Sequence, residues 1–319
     1  MAKPKVLLYE EIHQKGLEYL SKHADIVWAS GYEEETLCRE AAEVSGIVIR
    51  AKGQASAKVM DSAPLLKIIG RHGVGVDNID VAAATERGIY VANTPGVNNE
   101  SVAEHAVGMM LALSKRILEG DQAIRRGHWD FRYESRGQEI MGKTLGVVGL
   151  GNIGYRVAQI CHAAFNMKIL YHDELSKPRA EKELSARKVE LEELLRSSDY
   201  VSLHVPALPS THHLMNADRL NLMKKTAFLI NTSRGSVVDG DALYDALKEG
   251  RIAMAALDVY EEEPLPADNK LLTLTNTVLT PHMASHTEEA MIAMSMIARD
   301  VVRVIQGKAP QHPVNAPGK

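Results

Sequence analysis

The chain has 319 residues, 45% hydrophobic, 24% charged and only 5% aromatic, which excludes a disordered or collagen-like protein and fits about two globular domains. Its 37 Lys and Arg against 41 Asp and Glu leave a formal charge of −4, so no net positive field exists to hold nucleic acid or an anionic membrane, and small molecules are the expected partners. Cys38 and Cys161 belong to no CxxC pair, no apolar run reaches the roughly eighteen residues of a membrane span, and the opening MAKPKVLLYEEIHQKG turns acidic too early for a signal peptide, so a cytoplasmic protein without a disulfide framework is expected.

In chain order, VLLY at 6–9, GIVIR at 46–50, LKIIG at 66–70 and IYVAN at 89–93 are short apolar runs separated by helical stretches. That alternation predicts βαβ units and a parallel sheet, hence an α/β protein. A long helix then opens at Ser101, with Glu104 completing a capping box, and is predicted to run to about Leu118. Its middle, AVGMMLAL at 106–113, is apolar nearly all round, so one face is expected to pack in its own subunit and another against a partner in a two-fold homodimer. A second set of strands is more apolar still: TLGVVGL at 144–150, KILYHD at 168–173, YVSLHV at 200–205, AFLINT at 227–232, AMAALDV at 253–259 and NTVLTPH at 276–282. Strands buried on both faces read this way. Asp239 opens a helix that closes on Gly250, and a second long helix follows Thr287 and ends at Gly307. If the two long helices cross between domains, the first domain is discontinuous, 1–98 plus 288–319, and encloses a second at 99–287.

The strongest local signal is Gly149-Leu150-Gly151-Asn152-Ile153-Gly154, which follows a strand and opens a helix, with Asp173 about twenty residues further on. The glycines allow a tight turn, close approach to a pyrophosphate and helix–strand packing, while Asp173 would bind the adenosine ribose hydroxyls. Asp173 and Glu174 would repel a 2′-phosphate, so NAD is favoured; Lys177 and Arg179 nearby leave NADP open. The other apolar strands end in Val205-Pro206, Thr232-Ser233-Arg234, Asp258 and His282, and ligands of open α/β sheets bind at such carboxyl ends.

Hydride chemistry beside a dinucleotide needs a proton donor for the substrate oxygen, and His282 is the best-placed histidine. Arg234 could pair with a substrate carboxylate or bond local turn carbonyls. Glu263 could orient His282, but beside Glu261 and Glu262 it reads equally well as a solvated acid. His282 and His286 share the spacing of a helical zinc pair, yet Thr280-Pro281 begins that segment as a strand end and no third ligand is evident, so no metal is expected. His13, His23, His128, His212, His213 and His312 read as surface residues.

Taken together, GLGNIG, HVPALPST, INTSRGSVVD, LDVYEEEP and TPHMAS, with GRHGVGVDNID at 70–80 and NTPGVNNESVAEH at 93–105, resemble the D-isomer-specific 2-hydroxyacid dehydrogenases. The resemblance covers nearly the whole chain. It implies two Rossmann-like doubly wound domains, the discontinuous one flavodoxin-like and substrate-binding, the other NAD-binding. It implies a trio of Arg234 as substrate anchor, His282 as acid/base and Glu263 as its partner. Asp258 would hold the nicotinamide carboxamide, and Val205, Pro206, Thr232, Ser233 and Ser285 would line the cofactor together with Arg234 and His282. The amides of Gly73, Val74 and Gly75 would receive the substrate carboxylate, where flanking glycines let N–H groups converge on an anion.

Glu263 argues against formate, because formate dehydrogenases of this fold resemble the pattern with glutamine at the acid position. The end of the chain resembles the short members without a regulatory domain, so serine feedback is not expected. Arg50 and Arg71 resemble basic positions that meet a second polar or anionic group, which predicts a small acid such as hydroxypyruvate, glyoxylate or 3-phosphoglycerate. The fold also serves NAD-sensing corepressors that resemble the trio; the lack of long disordered tails favours the enzyme.

Overall fold

The computed structural model describes residues 3–318, which divide into two compact units: the chain up to Asn98 together with that from His286 onward, and Asn99–Ser285. In the first unit β1 (Lys5–Leu8), β2 (Asp25–Trp28), β3 (Val44–Ile49), β4 (Ile68–Arg71) and β5 (Tyr90–Ala92) form a parallel sheet in the order β2-β1-β3-β4-β5. That is the flavodoxin-like strand order. Alternate residues feed two cores: Leu7, Ile47, Ile49, Ile69 and Val91 enter one, Val6, Leu8, Val48, Ile68 and Ala92 the other. A period of two on a doubly covered sheet requires this. The edge strand β2 escapes sequence reading because its residues, Asp-Ile-Val-Trp, are only partly covered and lack an apolar run.

The C-terminal segment completes this unit. The expected second long helix starts at Thr287, whose side chain caps Ala290, but it is two helices, Glu288–Ser295 and Ala298–Ile305. The latter packs on β3 and β4 so closely that a Cβ on Gly70 would stand 2.7 Å from a Val301 methyl.

In the second unit the sheet comprises β6 (Thr144–Val148), β7 (Lys168–His172), β8 (Arg187–Lys188), β9 (Tyr200–Leu203), β10 (Phe228–Asn231), β11 (Met254–Leu257) and β12 (Thr277–Leu279). The order is β12-β11-β10-β9-β6-β7-β8, all parallel, so the chain reverses direction across the sheet between β6 and β9. Dinucleotides bind at that switch in Rossmann sheets. Every residue of β9, β10 and β11 is buried, and a single Leu or Ile truncated to Ala there would cost about 2–5 kcal/mol.

The helix expected at Ser101–Leu118 spans Asn99–Lys115, with Ser101 inside its first turn rather than capping it. Arg116, at φ +53°, ends the run, and a separate helix begins at Ile117. Ala103, Ala106, Val107, Met109, Met110 and Leu113 all lie in the core of their own unit. No helix among the described residues is long and apolar enough to cross a membrane.

Candidate active site

The glycine turn between β6 and the helix Asn152–Phe165 has the shape its sequence predicts. Gly149 sits at φ +89°, and a Cβ there would lie 2.8 Å from Val205 and 2.9 Å from the His204 carbonyl carbon. Only glycine lets the turn after β6 pass this close to the one after β9. Gly154 packs its helix onto the turn, with a Cβ position 2.2 Å from the Gly149 carbonyl oxygen, whereas nothing lies within 4 Å of a Cβ on Gly151. Backbone there is open to a ligand. A groove of about 630 Å³ borders it, lined by Gly151, Asn152, Arg156, Lys177 and Arg179 among others.

Asp173, just beyond β7, accepts the Leu150 N–H on Oδ2 at 2.8 Å and the Leu175 N–H on Oδ1 at 3.0 Å, and pairs with Lys177 Nζ at 3.1 Å. Burial pushes its carboxyl up, but the two N–H donors and Lys177 outweigh it and hold the group below the usual range. The carboxylate is ionised and held in place at the end of β7. Thr232 Oγ1 is buried with no hydrogen-bond partner among the described residues, and Ser233 bonds Asn231 Oδ1 through both its N–H and its hydroxyl. These groups, with the open Gly151 backbone at a helix N-terminus, fit a dinucleotide. Pro206 accepts from Thr211 Oγ1, and Ser285 follows the residue that Asp258 holds by its N–H.

Past β12, His282 Nδ1 lies 2.6 Å from Glu263 Oε2, while Glu263 Oε1 accepts the Tyr260 N–H at 3.0 Å. Burial raises the Glu263 carboxyl, yet the hydrogen bonds from His282 and Tyr260 and the nearby charges of His282 and Arg234 bring it below its ordinary value. A charged carboxylate therefore backs an imidazole whose ring is half-exposed. Arg234 donates to the Ser233 carbonyl at 2.8 Å, and Asn231 holds the Arg234 carbonyl from the end of β10. Arg234, Glu263 and His282 thus converge at the carboxyl end of one sheet.

Asp258 has a role that sequence reasoning did not anticipate. Its side chain is 1% exposed, and its oxygens accept Thr280 Oγ1 at 2.6 Å and the N–H groups of Met283 and Ala284, each at 2.9 Å. Beside its expected place at the nicotinamide carboxamide, it clamps the turn that presents His282. His105, also missed, bonds Thr280 Oγ1 at 3.1 Å from the helix Asn99–Lys115, and only the tertiary fold brings it there.

In the first unit the expected anion loop follows β4. The Gly73 N–H donates to Thr94 Oγ1 at 3.2 Å, which removes it from the amides expected to meet a carboxylate; Val74 and Gly75 remain. Arg71 donates to the Gly75 and His72 carbonyls, both at 2.5 Å, and so shapes the loop from within. Arg50 bonds His286 Nε2 and lies 3.8 Å from Met291 Sδ. His282 and His286 both precede the helix Glu288–Ser295, so their spacing does not make a helical pair. Buried His72 bonds Ser295 Oγ at 3.0 Å, and burial first, then the charges of Arg50 and Arg71, lower its pKa to about 3.

Residues 107–284 match the family described as D-isomer specific 2-hydroxyacid dehydrogenase, NAD binding domain. Along 320 residues the chain is 42% identical to a glyoxylate reductase of Korarchaeum cryptofilum, covering 98% of this chain and 96% of that protein. It is 43% identical over 316 residues to a D-3-phosphoglycerate dehydrogenase of Archaeoglobus fulgidus, of which it spans only 59% while 98% of its own length is covered. Among solved structures, the NADPH-dependent glyoxylate/hydroxypyruvate reductase of Sinorhizobium meliloti, in complex with NADP and malonate, superposes with a TM-score of 0.88 at 32% identity, covering 98% of this chain and 97% of that one.

Proposed function

The chain belongs to the D-isomer-specific 2-hydroxyacid dehydrogenases, and we propose that Arg234, Glu263 and His282 carry its interconversion of a 2-oxo acid and a D-2-hydroxy acid. It is an oxidoreductase that uses a nicotinamide dinucleotide, NAD or NADP, which when bound gives or takes the hydride at substrate C2. In reduction, protonated His282 gives a proton from Nε2 to the substrate oxygen as that oxygen gains negative charge. Ionised Glu263 holds Nδ1 and so fixes the rotation of the ring. Arg234 takes the substrate carboxylate and draws charge toward the carbonyl oxygen. The His282–Glu263 contact of 2.6 Å is the observation that carries this reading.

We assign the second unit to the cofactor and the first to substrate recognition, with the Val74 and Gly75 amides taking the substrate carboxylate. Gly149, Gly151, Asn152, Ile153 and Gly154 would face the pyrophosphate, and Asp173 the adenosine ribose, which favours NAD. Relatives named glyoxylate reductase and D-3-phosphoglycerate dehydrogenase, and a structural neighbour named glyoxylate/hydroxypyruvate reductase, support a small acid such as glyoxylate, hydroxypyruvate or 3-phosphoglycerate. Enzymes among the relatives likewise support catalysis over an NAD-sensing corepressor. Nicotinamide absorbance followed with glyoxylate, hydroxypyruvate, pyruvate and phosphohydroxypyruvate tests the assignment; no turnover with any of them overturns it.

The protein also forms a homodimer in this reading. The face differs from the expected one: exposed Ile117, Leu118, Ile124, Trp129 and Tyr133, the last two 65% and 72% exposed, follow the helix whose own apolar residues are already covered. Free Cys38 and buried Cys161 support a cytoplasmic setting.

A further inference from the structure

Away from the hydride chemistry, the turns after β9 and β11 bring His212, His213 and Glu261 together, one ligand atom from each lying within 4.8 Å of the others. Local structure fixes the cluster. His213 adopts φ +47°, donates its N–H to the Ser236 carbonyl at 2.8 Å and stacks on His212 with ring centroids 4.0 Å apart. Glu261 is pinned from the other side. A Cβ on Gly235 would stand 1.8 Å from the Tyr260 carbonyl carbon, so the backbone of this turn lies directly on Gly235, and Glu261 Oε2 accepts the Gly240 N–H at 3.3 Å.

That leaves Glu261 Oε1 against His213 Nε2. On the opposite edge of the ring, His213 Nδ1 faces Asp239 Oδ2 at 4.0 Å. At that distance Asp239 adds negative charge without a hydrogen bond, while the ring is held by its stacking on His212 and its contact with Glu261. His212 is exposed and adds a second imidazole.

We propose that His212, His213 and Glu261 bind a divalent cation of borderline softness, with zinc as the reference ion and the nearby charge of Asp239 favouring a cation. Two imidazoles and one carboxylate suit Zn²⁺, Co²⁺ or Ni²⁺ better than Mg²⁺ or Ca²⁺, which prefer all-oxygen sites. Ligands about 2.0–2.2 Å from zinc stand roughly 3–4 Å apart, a contraction that rotation of exposed His212 supplies. The ion takes the place of the direct contact between His213 and Glu261, and one or more coordination positions stay open to water. This site is distinct from Arg234, Glu263 and His282, although it ties the turn after β9 to the one bearing Glu263.

The test is calorimetric titration of the untagged, chelator-treated full chain with Zn²⁺ near neutral pH, repeated with Co²⁺ and read by visible absorbance. One ion per chain is expected, with affinity at least about tenfold lower in His212→Ala and in Glu261→Gln and unchanged in His282→Ala. His212 is exposed, so its removal leaves the fold intact, and circular dichroism verifies that. No saturable binding to the wild type, equal affinity in both site variants, or loss of binding in His282→Ala would each overturn the proposal.

Discussion

His282 is held in a left-handed conformation, φ +48°, by Asp258, whose carbonyl accepts the His282 N–H at 2.7 Å and whose carboxylate accepts the next two N–H groups. Such a conformation costs about 1–3 kcal/mol in a residue with a Cβ and persists only where neighbours over-determine it. The cost falls at the residue proposed as the proton donor. A buried anion beneath the turn fixes the ring's direction, and Glu263 then fixes its rotation.

Glu263→Gln keeps an acceptor for Nδ1 but removes the carboxylate charge behind the ring. It should lower kcat by about tenfold or more and change the acid side of the kcat/KM profile, where the wild-type carboxylate titrates. A profile superimposable on the wild type would mean that Glu263 is a solvated acid. Because its carboxyl is held below the usual range, Glu263 is ionised throughout neutral pH, and the pairing is lost only as acid titrates it below that range.

Asp173→Ala should weaken NAD binding and narrow the preference for NAD over NADP, since Lys177, now paired with Asp173, would be released toward a 2′-phosphate. The ratio of kcat/KM for the two cofactors measures it. An unchanged ratio would place adenosine recognition elsewhere.

His72 makes stability pH-dependent. Its pKa is about 3 in the fold against an ordinary 6.5, so below about pH 6.5 the unfolded chain binds a proton the folded one refuses. Stability is therefore full above that value and declines as pH falls toward 3, by at most about 1.4 kcal/mol per pH unit from this one group. Chemical denaturation across this window should show a shallower pH slope in His72→Gln than in the wild type; equal slopes would remove the assignment.

Arg50 and Arg71 should behave differently. Arg71 bonds its own loop, so Arg71→Ala should lower kcat/KM on glyoxylate, pyruvate and hydroxypyruvate alike. Arg50→Ala should discriminate, losing the equivalent of about 1.5–3 kcal/mol on a substrate with a polar or anionic far carbon and little on pyruvate. Uniform losses in both variants would assign both arginines to loop structure.

Much of this was legible because parallel strands buried on both faces announce themselves as apolar runs, and because a glycine turn between strand and helix has few other uses. The edge strands β2 and β8 were not legible, being half-covered or exposed and without an apolar pattern. Nor were the breaks at Arg116 and near Met296, where apolar periodicity continues past the end of the helix. At the site, His282 and Arg234 could be chosen by their places at strand ends. Glu263 could not be told from Glu261 and Glu262 by spacing; it took the fold to aim Glu263 at His282 and Glu261 at His213. The clamp formed by Asp258, Thr280 and His105 unites three separated segments, and no local signal marks it.

The most direct test of the central claim is the turnover of purified His282→Ala with a nicotinamide cofactor and the best 2-oxo acid of the panel, alongside its affinity for the reduced cofactor. The account predicts a fall in kcat of at least about a hundredfold with cofactor affinity little changed, because the side chain is proposed to give the proton and the groove beside Gly151 proposed for the dinucleotide is lined by other residues. Near-normal turnover in the folded variant would contradict it.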